Sequence, residues 1–124
     1  MNRHIVVIES DLSLLSEMAV ALKNQGYRVT GFESLTSVEE LVALRAGLFI
    51  IDERLPTVSG HIICIMLHSN LLTRAIPQIL IASSPLLGKF AELGEVNGSL
   101  RKPFSMDQLL TMVAGFFPLN CTDV

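Results

Sequence analysis

Three unbroken apolar runs constrain the fold of this chain most: Ile5-Val6-Val7-Ile8, Leu48-Phe49-Ile50-Ile51 and Ile79-Leu80-Ile81-Ala82. Each is short for a helix and lacks the alternation of a strand with one wet face. Such runs suit strands buried on both faces of a parallel sheet. A weaker run, Val29-Thr30-Gly31-Phe32, and a short segment at 98–101 supply two more strands. Helical patterns fill the gaps. Leu14, Leu15, Met18, Ala19 and Leu22 recur at helical spacing, with Lys23 in the last turn and Gly26 as a stop. Thr36-Ser37-Val38-Glu39 and Ser105-Met106-Asp107-Gln108 read as capping boxes, the second opening a helix that runs toward Pro118. His61 to about Leu72 is apolar and free of Gly and Pro, which predicts a helix. Gly88, Gly94 and Gly98 leave only a brief or irregular helix before the last strand.

Strand and helix therefore alternate about five times in 124 residues, the pattern of a doubly wound α/β sandwich. Composition removes the competing classes. Half the residues are hydrophobic and only 17% are charged, against a usual ~25%, so disorder is excluded. Nine Lys+Arg face twelve Asp+Glu with no basic cluster, which argues against a nucleic-acid partner. Arg45, Asp52, His61, His68 and Arg74 interrupt the oily stretches before the ~18 residues that would cross a bilayer, so no membrane partner is expected. The four apolar residues after Met1-Asn2-Arg3-His4 are too few for a signal-peptide core. Cys64 and Cys121 have neither metal spacing nor a disulfide framework, and His4, His61 and His68 read as surface or boundary residues. The expectation is one cytoplasmic, reduced domain over 1–124, with a tail from about 118.

Ligands and chemistry in doubly wound sheets collect at the carboxyl ends of the strands. Here those ends hold Glu9-Ser10-Asp11, then Asp52 followed by Glu53-Arg54-Leu55-Pro56-Thr57-Val58-Ser59-Gly60, then Ala82-Ser83-Ser84, and finally Lys102-Pro103-Phe104. A parallel sheet brings two acids and a lysine, some fifty residues apart, to one edge. An isolated Asp in such a place is a turn residue or a cap. The ordered combination is far more specific.

Along nearly its whole length this pattern resembles the receiver domain of bacterial two-component response regulators. Asp52, Pro56 and Gly60 match the family's phosphoacceptor Asp with Pro four and Gly eight positions on, and Lys102-Pro103-Phe104 matches its closing element. Gly26-Tyr27 is also common there. The resemblance implies a flavodoxin-like, five-stranded parallel sheet of order 2-1-3-4-5 with flanking helices. It implies that Asp52 accepts a phosphoryl group from a histidine kinase or phosphotransfer protein, and that protein contacts with a downstream output protein or domain then switch. Lys102 would pair with the phosphoryl group and with Asp52. A Mg²⁺ ion would sit on Glu9, Ser10, Asp52 and the backbone carbonyl of Arg54. No turnover on a separate substrate is expected. An Asp carboxylate can form such a covalent intermediate, provided that positive charge offsets its approach to an anionic phosphoryl group.

Departures from the pattern define the second reading. The family's acidic pair falls on Glu9-Ser10, so the second acid becomes a neutral hydroxyl and the metal should bind more weakly. Asp11 follows, with helix capping as its simplest role. Where the family carries a Ser or Thr at the end of the fourth strand stands Ala82, so the phosphoryl-binding hydroxyl is lost. Ser83 could replace it only if the chain end shifts, because strand alternation turns it to the other face. Ser99 occupies the position of the family's rotating aromatic, so both switch positions, Ala82 and Ser99, are atypical. A phosphorylation-independent interaction module on the same fold is therefore the alternative. A flavin carrier lacks its Gly-rich loop after the first strand, and an aspartate-nucleophile phosphatase finds only a poor echo in Glu9-x-Asp11. The surplus of apolar residues at Ile62–Leu67, Pro85–Leu87 and Phe116-Phe117 predicts that one of these patches is a protein contact, a homodimer or a kinase-docking surface.

Overall fold

Unbroken apolar strands need cover on both faces. The structure, a computed structural model that describes residues 2–35 and 37–118, provides it. The elements are β1 (His4–Ile8), α1 (Leu12–Asn24), β2 (Arg28–Phe32), α2 (Val38–Ala43), β3 (Leu48–Asp52), α3 (Gly60–His68), β4 (Gln78–Ala82), α4 (Leu87–Leu93), β5 (Gly98–Arg101) and α5 (Met106–Ala114). The five strands form one parallel sheet in the order β2-β1-β3-β4-β5, as expected for a doubly wound fold. Period-two alternation splits the runs between two cores. Ile5, Val7, Ile50 and Ile81 pack with Met18, Leu22, Leu109 and Val113 from α1 and α5. Val6, Ile8, Phe49 and Ile51 pack with Leu41, Ile63, Leu67 and Leu87 from α2, α3 and α4.

The helix starts are where side-chain chemistry put them. Asp11 caps α1, its carboxylate accepting the Ser13 and Leu14 amides at 3.0 and 3.2 Å. Ser105 and Gln108 close a full capping box on α5. For α2 the N-cap is Ser37, which accepts the Glu40 amide at 3.3 Å. Thr36, the cap expected from sequence, lies outside the described residues, as do residues 119–124 with Cys121. Gly26 ends the turn after α1 with φ of +91°, a conformation that favours glycine.

Three expectations are corrected. The helix predicted to reach about Leu72 stops at His68, because polar side chains beyond it satisfy the backbone in other ways. The Thr73 hydroxyl donates to the Leu67 carbonyl at 2.6 Å, and the Asn70 side chain accepts the Leu72 amide at 2.8 Å. Similarly, α5 ends at Ala114, four residues short of Pro118, and Phe117 turns back to pack on Tyr27 with ring centroids 5.1 Å apart. His4 is buried rather than at the surface, its ring nitrogens 2.7 Å from the Thr30 hydroxyl and 3.2 Å from the Leu44 carbonyl. Of the apolar helix α3, Ile63, Cys64 and Leu67 are fully buried while Ile62, Ile65 and Met66 stay 38–43% exposed. Burial, with the Glu53 carboxylate adding to it, pushes the Cys64 thiol up to about 12, which makes it inert. Among the described residues no helix is long and apolar enough to cross a membrane.

Candidate functional site

The register fixes what meets at the carboxyl edge. Ile8 lies opposite Ile51, Asp52 opposite Ile81 and Ala82 opposite Arg101. The residues just past those pairs therefore project together, and they line a cleft of about 670 Å³. Its lining includes Glu9, Ser10, Asp52, Arg54, Ala82, Ser83 and Lys102, so the sheet collects seven of the eight residues singled out from sequence. Ser99 is the exception. It is exposed on β5, paired with Leu80 two residues back from the edge.

At the centre is a three-charge cluster. Lys102 Nζ lies 2.8 Å from Glu9 Oε1 and 3.3 Å from Asp52 Oδ2. Glu9 is fully buried and Asp52 nearly so, while Lys102 keeps about a fifth of its side chain in contact with solvent. The second Glu9 oxygen accepts the Asp11 amide at 3.0 Å. Burial pushes Glu9 above the usual carboxylate range, although the Lys102 ammonium and the Asp11 amide pull against it. Burial also works against the charge on Lys102, but Glu9 and Asp52 outweigh it and hold that ammonium above its ordinary value. Folding gains from this cation below about pH 10.5 and loses the gain as pH rises through the elevated value.

Ser10 stands where it can report on the neighbouring loop, its hydroxyl donating to the Arg54 carbonyl at 3.2 Å. Ser83 is exposed and lines the cleft where Ala82 carries no polar atom. The donor set for a divalent cation is therefore all oxygen: two carboxylates, one carbonyl and one hydroxyl. Mg²⁺ is commonly held by one or two carboxylates with water completing its shell, so these residues fit it. Among the described residues no group of three or more acidic, His or Cys side chains is clustered for a metal, which leaves the site one negative charge poorer than a three-carboxylate centre.

Two residues were missed in the sequence. Glu53, next to Asp52, is buried and directs both carboxylate oxygens to His61: Oε1 accepts its backbone amide at 2.9 Å, and Oε2 lies 2.8 Å from its Nδ1. This carboxylate does the capping that Ser59, the formal N-cap of α3, does not perform. His61, expected at the surface, is thereby half-buried and also stacks on Phe90 of α4, with centroids 4.9 Å apart and planes within 10°. No periodicity or motif carries that pairing, because it depends on how the loop before Gly60 closes.

The five-stranded parallel sheet of order 2-1-3-4-5 with flanking helices is the fold of response-regulator receiver domains. The fold that the resemblance implied is thus borne out. The signal receiver domain of an HD domain-containing protein from Pseudomonas fluorescens Pf-5 superimposes with a TM-score of 0.82 at 23% identity, covering 94% of this chain and 88% of that one. The BeF3-activated DrrB receiver domain gives 0.79 at 25% identity, over 94% and 98% of the two chains. The receiver domain of sensor histidine kinase PA1611 from Pseudomonas aeruginosa PAO1, which holds a magnesium ion in its active-site cleft, gives 0.78 at 21%, also over 94% and 98%. In sequence, the chain is 32% identical over 117 residues to sensory transduction protein BceR of Halalkalibacterium halodurans. It is 24% identical over 128 positions to adventurous-gliding motility protein Z of Myxococcus xanthus. These alignments cover 88% and 99% of the chain but only 47% and 9% of the two relatives. No family model matches the chain.

Proposed function

We propose that this chain is a signalling receiver domain, alone or within a longer protein, that accepts a phosphoryl group on Asp52 from a histidine kinase or phosphotransfer protein and switches contacts with an output partner. The observation that carries the proposal is Lys102, poised between Glu9 and Asp52 at the mouth of an open cleft. Transfer makes a bond from an Asp52 carboxylate oxygen to phosphorus and breaks the bond to the donor, an imidazole nitrogen in the case of a kinase histidine. The Lys102 ammonium offsets the charge that the incoming phosphoryl group adds beside two carboxylates. When bound, Mg²⁺ supplies further neutralisation of that charge, and Glu9, Ser10, Asp52 and the Arg54 carbonyl would hold it. Phe90 and Pro85 border the cleft, and Arg54 at its rim is exposed, so a donor could approach from the loop side.

Ala82 and exposed Ser99 favour the phosphorylation-independent module as the second reading, since neither supplies the group that usually senses the phosphate. Incubation with a small phosphodonor and Mg²⁺, read by intact mass, separates the two. The expected product is one phosphoryl adduct on the wild-type chain and none on Asp52→Asn. No adduct, or one that survives the substitution, would sink phosphoacceptance at Asp52.

Charge count at the metal site gives a further expectation. Ser10→Asp places a carboxylate beside the Arg54 carbonyl and should tighten Mg²⁺ binding on the order of tenfold, measured by calorimetric titration. Unchanged affinity would show that position 10 does not face the ion.

A further inference from the structure

A receiver must pass a charge change at its acceptor to a surface, and the two residues that would do so, Ala82 and Ser99, lack a hydroxyl at the strand end and a ring. We propose that in this chain the state of Asp52 is relayed to α4 through a different set of contacts, Gly60–Glu53–His61–Phe90. The proposal rests on the receiver reading above and concerns how that site is read out.

Each link is a close physical contact. Gly60, the first residue of α3, lies so near the Asp52 backbone that a Cβ there would come within 2.8 Å of the Asp52 carbonyl carbon. Its amide donates to the Glu53 carbonyl at 2.9 Å. Any shift of the chain at Asp52 and Glu53 therefore acts directly on the start of α3. Both Glu53 oxygens then hold His61, one through the backbone and one through the ring, so the imidazole cannot stay in place if Glu53 turns. The ring in turn lies flat on Phe90.

The element at the receiving end is easily moved. Helix α4 has seven residues, its N-cap Leu86 makes no side-chain cap bond, and Leu87 alone is fully packed within it. Short uncapped helices rely on tertiary contacts for their stability, so loss or rotation of the Phe90 stack weighs heavily on this one. Phe90 also lines the same cleft as Asp52, Ala82 and Ser83. His61 is here a positioning residue: it makes no bond with Asp52.

The test is a double-mutant cycle read by amide hydrogen exchange over residues 87–93. It has two ways of changing the charge at position 52: Asp52→Asn, and phosphorylation by a small donor scored by intact mass. In the wild type, each change should alter exchange across α4 by about threefold or more. In His61→Ala, which keeps the backbone amide on Glu53, the α4 response should disappear while the adduct still forms at near wild-type yield. Phe90→Leu, which leaves Glu53 and His61 untouched, should likewise remove the α4 response to Asp52→Asn. An α4 response of equal size with and without the imidazole and the Phe90 ring overturns the relay, as does a wild-type α4 indifferent to Asp52→Asn. Absence of an adduct in the wild type instead overturns phosphoacceptance, and the relay is then decided by the Asp52→Asn arm.

Discussion

Lys102→Ala is expected to slow phosphoryl transfer to Asp52 by roughly 10²–10³-fold, the usual cost of removing one preorganised group that stabilises developing charge. Stability should fall as well. Taking away the ammonium leaves Glu9, fully buried, and Asp52, nearly so, as adjacent carboxylates with no cation between them. Breaking a buried pair by removing one partner costs ~3–5 kcal/mol, and because Lys102 is partly in solvent the lower end, about 3 kcal/mol, applies. The sign of the pH dependence follows from Glu9. Its folded value is already raised by burial, and Lys102 is the main group holding it down, so the variant raises it further. An acid with a raised folded value stabilises the fold fully below its ordinary value and loses that contribution as pH rises through the folded one. The destabilisation should thus be smallest below about pH 4.5 and grow as pH rises through the elevated Glu9 value, as measured by urea unfolding across a pH series. Adding Glu9→Gln to Lys102→Met should recover most of the stability without recovering transfer, since charge balance is restored and the catalytic cation is not. A Lys102→Ala protein that accepts phosphate at the wild-type rate would remove the lysine from the mechanism.

The same cluster shows what a sequence can and cannot reveal. Ile5–Ile8, Leu48–Ile51 and Ile79–Ala82 announced a parallel sheet because nothing but burial on both faces tolerates such runs, and once the sheet is granted its edge must gather Glu9, Asp52 and Lys102. Asp11 and Ser105 were legible for a similar reason, as local capping chemistry is written within four residues. Features that depend on closure across a loop were not legible. His61 looked like a boundary residue, because its partner Glu53 is eight residues away and the intervening turn decides whether they meet. His4 misled for the opposite reason. A polar residue before an apolar run reads as an exposed strand end, but the Thr30 hydroxyl and the Leu44 carbonyl arrive from two other elements and permit its burial. The overlong α3 shows the limit of periodicity, since Leu71 and Leu72 continue an apolar pattern that Asn70 and Thr73 divert into turns.

Gly60→Ala and Gly88→Ala, chemically the same change, should move stability in opposite directions. At Gly60 the added methyl meets the Asp52 carbonyl group and the Glu53 Cα at 2.9 Å, all backbone of the central strand's end, which cannot swing aside as a flexible side chain would. Either α3 lifts from the sheet or β3 is displaced where it presents Asp52. Forcing a methyl into a packed site typically costs 1–3 kcal/mol, and with only backbone to yield, about 3 kcal/mol is expected here. Because the strain falls on the residue beside the acceptor, phosphoryl transfer should drop in the same variant even at temperatures where it remains folded. At Gly88 a methyl meets nothing within 4 Å, and its position within α4 makes Gly more costly than Ala by roughly 0.8–1 kcal/mol of helix propensity. Gly88→Ala should therefore raise the urea midpoint without changing the slope of the transition. If the Gly60 variant is as stable as the wild type, the tight approach of α3 to Asp52 is not part of the native packing, and the first link between the acceptor and α4 fails with it.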